Sequence, residues 1–111
     1  MKVKQGAVVL LPVPFSDQTT QKVRPAIVVS NDNINTSSDD VILVPLTSII
    51  KDVPYSLLIT QDCLSEGKLL VPSRVRVDKP FTAHYSLVKA KIGVIKADFL
   101  SKIKQELTKI M

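Results

Sequence analysis

Gly6-Ala7-Val8-Val9-Leu10-Leu11-Pro12-Val13-Pro14-Phe15-Ser16-Asp17 and, after a polar spacer, Lys22-Val23-Arg24-Pro25-Ala26-Ile27-Val28-Val29-Ser30 decide how this chain folds. Val8–Leu11 is a short apolar run closed by Pro12 and Pro14, and Ala26–Val29 is another, opened by Pro25 and ended by Ser30-Asn31-Asp32-Asn33. Both read as strands, the first two of a hairpin. The segment between them, Ser16 to Lys22, is polar and turn-prone. It exceeds the roughly two to five residues of an ordinary hairpin loop, and overlong loops in compact domains tend to carry function.

Further along, Val41–Val44 predicts a third strand stopped by Pro45, with Leu46-Thr47-Ser48 turning outward from its end. Asn31–Asp40, polar and without a hydrophobic period, reads as a connection that can hold one irregular turn. Tyr55–Ile59 predicts a fourth strand and Lys68–Val71 a short fifth, with Gly67 as the break before it. Val75-Arg76-Val77-Asp78 alternates apolar and charged, the period of a half-buried strand, and directs Arg76 and Asp78 to one face. Lys91–Ile95 is the last strand. Phe99, Leu100, Ile103, Leu107 and Ile110 then fall on one helical stripe, with Asp98 near the start as a cap or dipole partner. About seven strands and one terminal helix predict a mostly β chain closed as a barrel or sandwich.

At 111 residues the chain is expected to form one domain, spanning 1–111. A hydrophobic fraction of 45% against 23% charged residues describes a folded chain, and its Val, Ile and Leu content favours sheet. No apolar run approaches the roughly 20 residues of a membrane helix, and the first residues lack the pattern of a signal peptide, so the expected location is the cytoplasm with no membrane partner. Cys63 and His84 are the sole cysteine and histidine, too few for a disulfide, a zinc cluster or a His pair. Cys63 reads as a plain thiol and His84 as a surface or capping residue. No metal and no cofactor are expected.

The net charge is +5, and its distribution is uneven. Residues 68–111 hold ten basic side chains (Lys68, Arg74, Arg76, Lys79, Lys89, Lys91, Lys96, Lys102, Lys104 and Lys109) against three acidic ones, whereas residues 1–67 are slightly acidic. The second half is a candidate polyanion face. Taken alone, Arg24 can be a solvated arginine at a strand start, Thr47 a hydroxyl bonding its own turn, and Arg76 with Asp78 an ion pair of small value.

In order along the chain, four motifs resemble the MazF/PemK (Kid) toxin family. They are the Gly6–Asp17 run, Lys22-Val23-Arg24-Pro25 with its strand, Val41–Val44 followed by Pro45-Leu46-Thr47-Ser48, and Ser73-Arg74-Val75-Arg76-Val77-Asp78-Lys79. Lys91-Ile92-Gly93 and the helix close the match, which runs from about Gly6 to Ile110. The resemblance implies an SH3-like barrel with a C-terminal α-helix, a homodimer, and metal-independent, sequence-selective cleavage of single-stranded RNA. It implies as partner a cognate antitoxin whose acidic, disordered tail occupies the RNA groove. The family's catalytic Arg falls on Arg24, its Thr on Thr47, and the Arg and Asp of some branches on Arg76 and Asp78, with Asp78 the candidate base. Phe15, Ser16, Lys22, Ser48, Ser73, Arg74 and Lys79 are the accompanying RNA-binding residues.

Two positions depart from the family pattern. Ala7 stands where an acidic residue commonly follows the first Gly, and Gln18-Thr19-Thr20-Gln21 replaces the usual loop glycine. Two further readings remain beside the ribonuclease. One is a barrel of the related CcdB type, which poisons DNA gyrase by binding, although those sequences lack the Lys-x-Arg-Pro and Pro-x-Thr-Ser signals. The other is a non-catalytic nucleic-acid-binding barrel.

Overall fold

The computed structural model describes residues 2–13 and 22–111. Residues 14–21, with Phe15, Ser16 and the Gln18–Gln21 stretch, lie outside the described residues. Among those described, eight strands form one antiparallel sheet: β1 (Ala7–Pro12), β2 (Val23–Val28), β3 (Asp40–Thr47), β4 (Ser56–Ile59), β5 (Leu64–Gly67), β6 (Ser73–Arg76), β7 (Phe81–His84) and β8 (Ala90–Ile95). Two α-helices, α1 (Asp32–Ser37) and α2 (Ala97–Ile110), accompany the sheet among the described residues. The strand order is β4-β6-β3-β2-β1-β8-β5, and β7 joins at β3.

β1 and β2 are apolar on successive residues because both of their faces are covered. Val8 and Ile27 enter one cluster with Val44, Leu46, Val75, Ile95 and the helix residues Phe99 and Ile103. Ala7, Val9, Leu11, Ala26 and Val28 enter a second with Val13, Val41, Leu43, Phe81 and Ala83. Strands buried on both sides read as continuous apolar runs rather than as alternation. Ile103 is fully buried, which contributes about 2–3 kcal/mol to the docking of α2.

The sheet curls at β3. Its first half, Asp40–Leu43, pairs with β7, and its last two residues, Leu46 and Thr47, pair with β6. Pro45 sits where the strand changes partners. Having no N–H, the proline donates no ladder hydrogen bond at that position. The expected end of the strand at Pro45 is therefore corrected: β3 continues through it to Thr47.

Four other expectations change. The Asn31–Asp40 connection contains α1, capped by Asn31, whose Oδ1 accepts from the Ile34 N–H at 2.9 Å. It is anchored by a buried Asn35 that donates to the Ser30 carbonyl at 2.9 Å, so no apolar stripe announces it. The short strand expected at Lys68–Val71 does not form, and Leu70 there is largely exposed. Leu64-Ser65-Glu66-Gly67, of which Leu64 alone is buried, pairs with β8 instead. Gly67 (φ +86°) ends that strand, and a Cβ on it would lie 2.1 Å from the Ile92 carbonyl oxygen. Phe81–His84 adds the eighth strand, burying Phe81 and Ala83 and exposing Thr82 and His84. β6 stops at Arg76, so Asp78 lies in the turn beyond it.

The mostly β barrel with a C-terminal helix is otherwise as expected. No helix among the described residues is long and apolar enough to cross a membrane.

Candidate active site

Strand register assembles the site. The β2–β3 ladder pairs Val28 with Leu43, Ile27 with Val44 and Ala26 with Pro45. Carried two residues further, the same register sets Arg24 opposite Thr47. On the other edge of β3, Leu46 pairs with Val75 and Thr47 with Arg74, which sets Arg76 opposite Pro45. Side chains two apart on a strand, or directly opposite across a pair, share a face. Arg24, Thr47, Pro45 and Arg76 therefore form one row across three strands, on the face that carries the Leu11, Ala26 and Leu43 core. Val13, whose N–H donates to the Lys22 carbonyl at 3.3 Å, extends the row over β1.

The row borders an open pocket of about 390 Å³ lined by Val13, Lys22, Arg24, Pro45, Leu46, Thr47, Ser48, Ile49, Arg76 and Lys79. Of the expected residues, Arg24, Thr47, Arg76, Lys22, Ser48 and Lys79 meet here. Val13 and Ile49 were not singled out by sequence, and Pro45 and Leu46 were read as part of a motif but not as site residues. The signal for Ile49 was an apolar Ile49-Ile50 pair in an otherwise polar turn, and it is 71% exposed.

Arg24 is exposed and has no hydrogen-bond or ion-pair partner among the described residues. Its guanidinium is available to an incoming anion. Arg76 is held differently: its Nε donates to Asp78 Oδ1 at 2.9 Å and its Nη2 to Oδ2 at 2.8 Å. This bidentate geometry fixes the guanidinium plane. Asp78 does not line the pocket itself. The hydrogen bonds from Arg76 hold its carboxyl below the ordinary carboxylate range, against a partial burial that pushes the other way. The same hydrogen bonds push the Arg76 pKa up, so it stays charged. Thr47 Oγ1 accepts from the Ile49 N–H at 3.2 Å, which shapes the turn and leaves its hydroxyl proton free to donate.

Besides Asp78, two expected residues stay outside the pocket. Ser73 is buried and donates to the Val71 carbonyl at 3.2 Å. Arg74 lies on the same face as Arg76 but is drawn toward β4, donating from Nη2 to Asp52 Oδ1 at 3.0 Å and to Ser56 Oγ at 2.9 Å. Phe15 and Ser16 lie outside the described residues. Cys63 is half-buried beside Thr60, and His84 Nδ1 caps a short turn by accepting from the Ser86 N–H at 3.1 Å. Among the described residues no three His, Cys, Asp or Glu side chains gather as metal ligands.

Residues 4–111 match the family described as PemK-like, MazF-like toxin of type II toxin-antitoxin system. No characterised protein matches the sequence at a significant level. Several solved structures share the fold. An endoribonuclease in complex with its cognate antitoxin from a Mycobacterial species superposes with TM-score 0.76 at 20% identity, over 96% of this chain and 92% of that one. A MazE-MazF structure (Form-III) from Deinococcus radiodurans gives TM-score 0.78 at 21% identity, over 97% and 94%. The Mycobacterium tuberculosis toxin MazF-mt6 gives 0.75 at 16% identity, over 93% of both chains.

Proposed function

The chain belongs to the PemK-like, MazF-like toxin family of type II toxin-antitoxin systems, and we propose that it acts there as a metal-independent endoribonuclease on single-stranded RNA. The observation that carries this reading is the row of Arg24, Thr47 and Arg76 across three strands, with Lys22 and Lys79 at its ends. Four cations around one open hollow suit a phosphate in an extended backbone, and the two forked guanidiniums suit its oxygens.

In the proposed reaction the 2′-hydroxyl gives up its proton to water and its oxygen attacks the adjacent phosphorus, forming a 2′,3′-cyclic phosphate as the bond to the 5′-oxygen breaks and that oxygen takes a proton from water. Arg24, unpaired among the described residues, binds the scissile phosphate and donates to the oxygens on which charge develops. Thr47 donates to a phosphate oxygen from a hydroxyl already set by the Ile49 N–H. Arg76 adds a second fixed fork. Asp78, the base expected from sequence, has both oxygens engaged and its carboxyl pushed down. Its role in this proposal is to orient Arg76.

The chain is proposed to work in the cytoplasm as one domain over 1–111, paired as a homodimer. A small antitoxin with an acidic tail would silence it by filling the cationic hollow. Relatives of the same fold occur as antitoxin complexes. Family membership and the presence of both arginine-bearing motifs disfavour the gyrase-binding and non-catalytic readings.

The test is to incubate the purified protein with a long single-stranded RNA in EDTA. Discrete fragments ending in 2′,3′-cyclic phosphate are expected. Intact RNA, or cutting that needs added metal, overturns the reading.

A further inference from the structure

No aromatic ring is among the described residues that line the Arg24 hollow, although bases of single-stranded RNA bind by stacking on aromatic faces. Elsewhere, Phe81 and Phe99 are buried in the core. Tyr85 is engaged, its ring stacked on His84 at 4.9 Å between centroids, with Lys2 Nζ 5.4 Å from its centre. Tyr55 is 42% exposed, and among the described residues its hydroxyl has no hydrogen bond and its ring no aromatic or cationic contact. The ladder of β4 and β6 ends at the pair Ser56 and Arg76. One step further Tyr55 stands opposite Val77, and its carbonyl accepts from the Val77 N–H at 3.1 Å. Continued as a strand, that register would send the Tyr55 side chain to the core face with Val77, which is fully buried. Instead Tyr55 has φ +59°, the one positive φ outside glycine among the described residues. Left-handed backbone is costly for a residue with a Cβ, and Gly, Asn or Asp takes it more cheaply. An aromatic side chain is kept there nonetheless, beside the strand end that carries Arg76 and the turn that carries Asp78. Ser56 Oγ holds the turn by donating to the Val53 carbonyl at 2.6 Å.

We propose that Tyr55 is the stacking platform for a base flanking the scissile phosphate, and so a specificity-determining residue of the RNA site. The inference rests on the endoribonuclease reading of the Arg24, Thr47 and Arg76 row. β4 lies two strand spacings from β3, roughly 10 Å. With the phosphate held at the row, a neighbouring nucleotide on the β6 side reaches that distance. An aromatic face accepts any base and grips the larger face of a purine most strongly. Tyr55 therefore biases the cut toward a purine at that position without reading a hydrogen-bonding edge. It touches no reacting atom, so its loss belongs in KM and not in kcat.

The test begins with the parent chain cutting a single-stranded RNA in EDTA, which checks the endoribonuclease reading itself; no cutting overturns both. Steady-state kinetics then compare Tyr55→Phe, Tyr55→Ala and Tyr55→Gly. Tyr55→Phe is expected to keep the parental KM. Tyr55→Ala and Tyr55→Gly are expected to raise KM about tenfold at unchanged kcat. Tyr55→Gly suits the left-handed backbone and should melt higher than Tyr55→Ala. A KM that follows melting, restored in Tyr55→Gly, makes Tyr55 a structural residue and overturns the inference. Parental KM in both variants overturns it too, and leaves the endoribonuclease reading intact. Abasic substitutions scanned along the RNA give a second readout. At one flanking nucleotide, removing the base should raise the parental KM as Tyr55→Ala does, and should raise it no further in that variant. Additive losses at every nucleotide overturn the inference.

Discussion

The hollow at Arg24 and a second hollow, beneath Lys4 and Lys89, both border the second apolar cluster, the one through Val13 and the other through Ala7, Val3 and Val88. They differ in how their cations are mounted. Two arginines stand on strands flanking β3, one free among the described residues and one fixed by a bidentate carboxylate. The lysines of the other hollow sit at a terminal segment and at the start of β8, on flexible stems over an aliphatic floor. A planar fork held by a strand presents its donors in one orientation, which suits developing charge on phosphorus. An ammonium on a flexible stem offers a point charge without one fixed direction. The basic side chains of the two hollows are thus mounted differently, on planar forks at one and on flexible stems at the other.

The largest expected effect breaks the comparison at the first hollow. Arg24→Ala should lower single-turnover cleavage of a fluorogenic RNA on the order of a hundredfold or more, with melting unchanged because the residue is exposed. Parental cleavage by this variant would leave the two hollows without the proposed difference.

Asp78→Asn tests the fixed fork. A role in orienting Arg76 predicts a loss on the order of tenfold, since one charge-assisted contact is weakened and the arginine remains. A much deeper loss, with a changed low-pH limb in the rate profile, would return Asp78 to the role of base. The linkage has a definite sign. The folded carboxyl lies below its ordinary value of 3.8, so the pair contributes stability above that pH and loses it as pH falls through the depressed value. Acid unfolding of Asp78→Asn should therefore show a shallower decline below about pH 4 than the parent.

The smallest effect belongs to Arg74, two residues from Arg76 on the same strand and the same face. Arg74→Ala should cost about 1 kcal/mol in denaturant unfolding, from its lost bonds to Ser56 and Asp52, and leave cleavage nearly unchanged. A large fall in rate at constant stability would bring Arg74 into the site.

Much of this was legible in residue order. The hairpin of β1 and β2, the last strand and the helical stripe are local patterns, apolar runs bounded by proline or a clean helical period, and they formed where expected. α1 was missed because it is held by the Asn31 cap and buried Asn35 rather than by an apolar face. β5 was misplaced because an edge strand needs little apolar content, while the Leu70 that suggested a strand faces solvent. The α1 contacts are local but polar, so hydrophobic periodicity does not report them, whereas the pairing of β5 with β8 joins segments that no local window contains.

For the site, the sequence by itself determined which cations exist, that Arg24 is extended before Pro25, and that Arg76 and Asp78 share a side. It did not determine which of Arg74 and Arg76 faces the hollow, since both have the same parity on β6. Only the tertiary structure decided that, because Asp52 and Ser56 draw Arg74 toward β4 while Asp78, in the turn after the strand, holds Arg76. The same holds for the row itself: strand pairing carries Arg24 to Thr47 and Pro45 to Arg76, and pairing depends on register, which is set across the sheet by the buried faces on both sides of it.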